Sequence, residues 1–156
     1  MNDLQSKYEF LQYLLVQYYR TSKMKKHHQN MLKQITNNRL SDGILHTLEN
    51  HANLIAISRA LNDATFILDT KIIVLTNNTN TKFLTTDQPV IKLKPEENIL
   101  YYPISPEVSI LVTSNKNLDN HELTEKEVKD YNCKLIDSAE RFIFAKSKEQ
   151  LETYIK

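Results

Sequence analysis

Apolar residues near the start of the chain recur at helical intervals. Leu4, Tyr8, Leu11, Leu15 and Tyr18 form one stripe, flanked by Phe10, Leu14 and Tyr19. This spacing predicts a helix from about residue 3 to residue 20 with a broad apolar face. Thr21-Ser22 either interrupts that helix, or Ser22 caps a second helical stretch carrying Met24, Met31, Leu32 and Ile35. Thr36-Asn37-Asn38 reads as a loop. Ser41-Asp42 then offers an N-cap for a helix holding Ile44, Leu45, Leu48, Ala52 and Ile55, with Leu61 at its limit.

From about residue 66 the period changes. Lys71 to Leu75 and Phe83 to Thr86 are strand-forming runs, and Asn77-Asn78-Thr79-Asn80 between them is a polar turn cluster, so the two are expected to pair as a hairpin. Val90 to Leu93, Ile99 to Tyr102 and Val108 to Thr113 add strands, separated by breaks that contain proline or asparagine. Thr124-Glu125-Lys126-Glu127 is a capping box that opens a helix, with Val128, Asn132, Leu135 and Ala139 on one face. Arg141 to Ala145 is expected to add a short strand to the sheet, and Ser147, with Gln150 three residues on, opens a last short helix. The expected class is α+β: one domain over residues 1–156, with a mostly antiparallel sheet of about five or six strands packed against the N-terminal helices and the helix after Thr124.

Composition narrows the function classes. A chain of 156 residues buries roughly 70% of its unfolded surface, enough for a core without staples. The chain has one glycine, Gly43. Phosphate loops, dinucleotide fingerprints and nucleophile elbows each need at least about two, so none of the three is present. The one cysteine, Cys133, cannot form an internal disulfide, which fits a reducing compartment. No apolar run approaches the roughly 20 residues that span a bilayer, and the N-terminus has no signal pattern, so the expected location is the cytoplasm with no membrane partner.

A net charge of +1 conceals a basic stretch: no acidic residue lies between Glu9 and Asp42, while Arg20, Lys23, Lys25, Lys26, Lys33 and Arg39 are all cationic. This Arg20–Arg39 segment is a candidate surface for an anionic ligand or nucleic acid. A solvated helix face is the commoner use of such a run.

Four residues stand out as candidates for chemistry. Asp87 ends a strand just before Gln88-Pro89, with Thr85 and Thr86 in front of it. As a functional residue it would serve as base, metal ligand or hydrogen-bond acceptor, supported by either threonine. As a structural one, which is favoured, its carboxylate would close an Asx turn at the bend. Asn132 lies on an apolar helix face and must find partners there, either to lock the helix to a strand or to face a ligand; locking is the commoner use. Arg20 follows the tyrosine-rich helix, where a cation favours the helix dipole, and would equally meet Asp87 or an anion. His46 and His51 have the wrong spacing for zinc, adjacent His27 and His28 should point apart, and Cys133 reads as a small packed residue. No metal or cofactor is expected.

Four segments together resemble DUF4238, a bacterial family of uncharacterised proteins: FLQYLLVQYYRTS (10–22), FLTTDQPV (83–90), LYYPISP (100–106) and VKDYNCKLIDSAERFIFA (128–145). In that family the central segment resembles a phenylalanine, a threonine-serine-aspartate run, a polar residue and then proline-valine; here Thr86 stands for the serine and Gln88 for the asparagine. Family members look longer at the front, with a His-x-Val-Pro-like motif, so the chain resembles their C-terminal part; a catalytic group in that front would be missing here. The resemblance implies a fold and a site location but no reaction. Two functions follow as expectations. The first is a ligand- or nucleic-acid-directed enzyme or binding domain, with Asp87, Thr86, Arg20 and Asn132 around a polar site. The second is a non-enzymatic protein-interaction module of an accessory or phage-related system, its partner meeting the first helix.

Overall fold

The chain folds as two compact units, Met1–Leu68 and Asp69–Lys156. The structure, a computed structural model, describes residues 4–36, 41, 43–44, 46–47, 51–94 and 99–154, apart from the side chains of Leu32, Ile35, Ala52 and Asn53.

The first unit is helical: α1 is Leu4–Tyr19, α2 is Ser22–Ile35 and α3 is Ala52–Phe66. The apolar stripe of α1 is buried at Leu11, Leu14, Leu15 and Tyr19, and α3 contributes Ala56, Ala60 and Ala64, one every fourth residue. α1 packs on α3; large side chains on one helix against alanines on the other let the two axes approach closely. Each fully buried leucine contributes about 1.5–3 kcal/mol. The break after α1 is made by Thr21 rather than Ser22. Its hydroxyl donates to the Tyr18 carbonyl at 3.0 Å and accepts from the Met24 amide at 3.4 Å. Ser41 Oγ accepts from the Ile44 amide at 3.4 Å, as its capping role requires. Asp42, Leu45 and Leu48, read as part of the same helix, lie outside the described residues. α3 continues past Leu61 to Phe66.

The second unit carries β1 (Lys71–Thr76), β2 (Thr85–Thr86), β3 (Ile91–Lys94), β4 (Ile99–Pro103), β5 (Val108–Thr113), β6 (His121–Glu122), α4 (Glu125–Ser138), β7 (Ile143–Phe144) and α5 (Lys148–Glu152). Five strands form one sheet in the order β3-β4-β5-β1-β6. Its pairs are antiparallel except β1 with β6, which is parallel. The chain is therefore α+β with a mostly antiparallel sheet. Alternation does the sorting: Ile73 and Leu75 of β1, Leu111 of β5, Tyr101 of β4 and Ile91 of β3 join one core with Val128 and Leu135 of α4.

Two strand pairings depart from the sequence reading. β1 forms no hairpin with the Phe83–Thr86 run; it pairs with β5, Lys71 opposite Thr113 through Thr76 opposite Val108. β5 is buried from Ser109 to Thr113, and this long apolar partner outranks the nearer, shorter one. The Asn77 cluster is accordingly not a hairpin turn. Asn77 is fully buried, donating to the carbonyls of Thr81 (2.9 Å) and Pro106 (3.2 Å) while accepting from the Thr79 amide and hydroxyl. The strand read at Arg141–Ala145 does not join the main sheet either; it forms β7, which pairs with β2 in a separate two-stranded ribbon. β6 carries no strand pattern in the sequence, because its two residues are both exposed.

The capping box of α4 is formed: Glu127 donates its amide to Thr124 Oγ1, and its carboxylate accepts from the Thr124 amide at 2.9 Å and hydroxyl at 2.8 Å. The backbone N–H of Thr124, then its hydroxyl, hold the Glu127 carboxyl below its ordinary value of 4.5. Thr124→Ala is expected to lower stability by about 1 kcal/mol in urea denaturation. Because the folded-state value is depressed, the Glu127 contribution is complete above the ordinary value and fades as pH falls through the folded one. The gap between variant and wild type should therefore narrow in acid. Among the described residues no helix is long and apolar enough to cross a membrane.

Candidate functional site

The FLTTDQPV segment is held at both ends by side chains. At its near end, Asn132 of α4 is fully buried; its Oδ1 accepts from the Leu84 amide at 2.9 Å. Its Nδ2 donates to the Lys82 carbonyl at 2.9 Å and to the Tyr154 hydroxyl at 3.0 Å. The amide thus has a partner on both its oxygen and its nitrogen, as burial demands. Gln150 also donates to the Lys82 carbonyl.

At the far end Thr86 and Asp87 divide the work. Thr86 is buried, and its hydroxyl donates to the Gln88 carbonyl at 2.9 Å while accepting from the Gln88 amide at 3.0 Å. Thr86 therefore makes the local turn that the sequence suggested for Asp87. Asp87 reaches much further: one carboxylate oxygen accepts from the Glu140 amide at 3.0 Å and the other from the Arg141 amide at 2.9 Å. Its own amide donates to the Phe142 carbonyl at 3.1 Å. Two backbone donors on one carboxylate tie the chain after β2 to the turn after α4, and such charge-assisted bonds are the stronger kind.

These ties frame a cleft of about 220 Å³ between the Phe83–Thr85, Pro103–Pro106 and Phe144–Lys146 segments. Pro103 and Pro106 fix φ on either side of Ile104-Ser105. Ser105 Oγ accepts from the amides of Glu107 (3.1 Å) and Val108 (3.0 Å), which shapes this wall. Ile104 and Phe144 are each 52% exposed although both line the cleft, so its mouth is apolar. Beside it, Lys146 lies 3.1 Å and Lys82 3.8 Å from the same Glu107 oxygen. Two ammonium groups share one carboxylate there, a surplus of positive charge.

Of the four residues singled out in the sequence, Thr86, Asp87 and Asn132 gather around this segment. Arg20 belongs to the helical unit, exposed just past the end of α1. Cys133 is exposed rather than packed, because it lies one position off the buried Val128-Asn132-Leu135 face. The rings of His27 and His28 do not point apart; their centroids are 6.0 Å apart. Among the described residues no group of three or more His, Cys, Asp or Glu side chains is placed to hold a metal ion.

A family model described as Protein of unknown function (DUF4238) matches residues 2–149. The chain belongs to the DUF4238 family. No curated protein and no solved structure matches it. In this DUF4238 member the segments 83–90, 100–106 and 128–145 all contribute to the cleft wall or its braces. Sequence reading missed the cleft because Ile104 and Phe144 become neighbours only through tertiary structure, and neither carries a polar signal.

Proposed function

We propose that this DUF4238 chain is a binding module, working through the cleft between Phe83–Thr85, Pro103–Pro106 and Phe144–Lys146. The supporting observation is that the polar residues expected to do chemistry, Thr86, Asp87 and Asn132, direct their side-chain hydrogen bonds to the chain's own backbone and to the Tyr154 hydroxyl, beside an apolar cleft. A volume of about 220 Å³ is below the roughly 300–1,000 Å³ of drug-sized sites, so it suits one ring-sized apolar group. The lysine surplus favours an anionic substituent next to that group. We place this activity in the bacterial cytoplasm, which the lone cysteine supports.

The reading is tested by NMR titration with small aromatic carboxylates, using the matching uncharged alcohols as controls. The carboxylates are expected to shift Ile104 and Phe144 resonances saturably and more tightly than the alcohols. Phe144→Ala should weaken binding by about tenfold. Absence of saturable shifts at these residues, or full affinity in the variant, overturns it.

A second reading, a protein-interaction module, draws support from α3 rather than α1. The α1 stripe is buried at Leu11, Leu14, Leu15 and Tyr19, whereas Leu54, Ile57 and Leu61 of α3 lie on one helical face and are 64%, 44% and 44% exposed.

A further inference from the structure

The helical unit holds a polar constellation that the cleft does not use. Tyr19, the last residue of α1, is buried, and its hydroxyl donates to Asp63 Oδ2 on α3. One turn earlier on α3, Arg59 lays its guanidinium over the Tyr19 ring, with Cζ 5.6 Å from the centroid. From α2 the His28 ring comes to 5.7 Å from the Tyr19 ring at a 30° tilt. Tyr18 meets Tyr19 edge-on at 5.1 Å, and His27 flanks His28.

Arg59 and Asp63 are four residues apart on one helix, a spacing at which such residues commonly pair. Asp63 instead takes the Tyr19 hydroxyl. A guanidinium carries five N–H donors and must direct them somewhere. Among the described residues none accepts a hydrogen bond from Arg59, and its contact is the face of Tyr19. A half-buried guanidinium lying over a ring, with no acceptor for its donors among the described residues, suits bidentate capture of an oxyanion. The surroundings agree in sign: α2 contributes Lys23, Lys25, Lys26 and Lys33 and no acidic residue.

We propose that Arg59, His28 and His27 form an oxyanion site for a phosphate-bearing ligand, with Tyr19 and Asp63 as positioning residues. Tyr19 supports the guanidinium face, and its hydroxyl keeps Asp63 from closing on Arg59. The groups facing His28 are Tyr18 and Tyr19 from α1, Arg59 and Asp63 from α3, and His27 beside it on α2. In the free protein burial, then Arg59 and His27, hold His28 below its ordinary 6.5, with Asp63 opposing them. A bound anion favours protonated His28, so affinity rises as pH falls through that lowered value.

The test is an NMR titration of the full chain with inorganic sulfate, whose charge is constant across the range, and with inorganic phosphate. Saturable shifts at the Arg59 and His28 side chains are expected, with sulfate binding tighter at lower pH. Arg59→Gln should weaken binding by at least about tenfold. Tyr19→Phe keeps the ring but frees Asp63 to pair with Arg59, so it should weaken binding several-fold, an effect that a merely structural tyrosine would not produce. His28→Gln should remove the pH dependence. Unchanged circular dichroism shows that each variant is folded. No saturable shift at either side chain, or undiminished affinity in Arg59→Gln, overturns the site. An oligothymidylate separates the sources: tighter, steeply salt-dependent binding assigns a nucleic-acid backbone, and affinity no greater than for phosphate assigns a small phosphate-bearing ligand.

Discussion

Asn132→Leu is expected to destabilise the sheet-bearing unit by about 3 kcal/mol. Leucine branches at the same carbon as asparagine but is larger, so some overpacking adds to the loss of hydrogen bonds. The Leu84 amide loses its acceptor, and the Tyr154 hydroxyl and the Lys82 carbonyl each lose a donor. A buried backbone group left without a partner costs about 1–3 kcal/mol, and here the Leu84 amide is the one most exposed to that penalty. Gln150 still serves the Lys82 carbonyl, which limits the total. Urea denaturation measures the difference. A change under about 0.5 kcal/mol, the usual range for a surface substitution, would mean that Asn132 is no lock.

Asn132 shows what one sequence can supply. Its position on the buried face of α4 was readable from the spacing to Val128 and Leu135, because a helical face is a local property. The capping box at Thr124 and the cap at Ser147 were readable for the same reason. The strand runs were visible too, but the partners of β1 and β7 were not. Pairing depends on which apolar run elsewhere offers the better buried surface, and β5 lies beyond three intervening strands.

The candidate site divides along the same line. Asp87 could be picked out by its place before Gln88-Pro89. Its acceptor role toward Glu140 and Arg141, 53 and 54 residues away, left no trace in the sequence. Thr86 was named as a helper, and it makes the turn itself. Arg59 was never singled out, because a lone arginine on a helix acquires meaning only when a tyrosine from another helix lies beneath it.

The second large effect is expected of Asp87→Asn. The substitution keeps the shape, removes the charge and turns one of two acceptors into a donor facing a backbone N–H. Loss of two charge-assisted bonds, offset by one retained neutral bond, predicts about 2 kcal/mol lower stability. Binding of aromatic carboxylates in the cleft should persist wherever the protein remains folded, since Asp87 is not part of the cleft lining. Loss of binding at unchanged stability would instead make Asp87 a residue of the site.

The central claim is that this carboxylate is committed to the chain's own backbone. Amide hydrogen exchange at Glu140 and Arg141, compared between the wild type and Asp87→Asn, reads it most directly. The account predicts that both amides are protected in the wild type and exchange much faster in the variant, ahead of the amides of β5. Equal rates in the two proteins would contradict it and leave the Asp87 carboxylate available for chemistry.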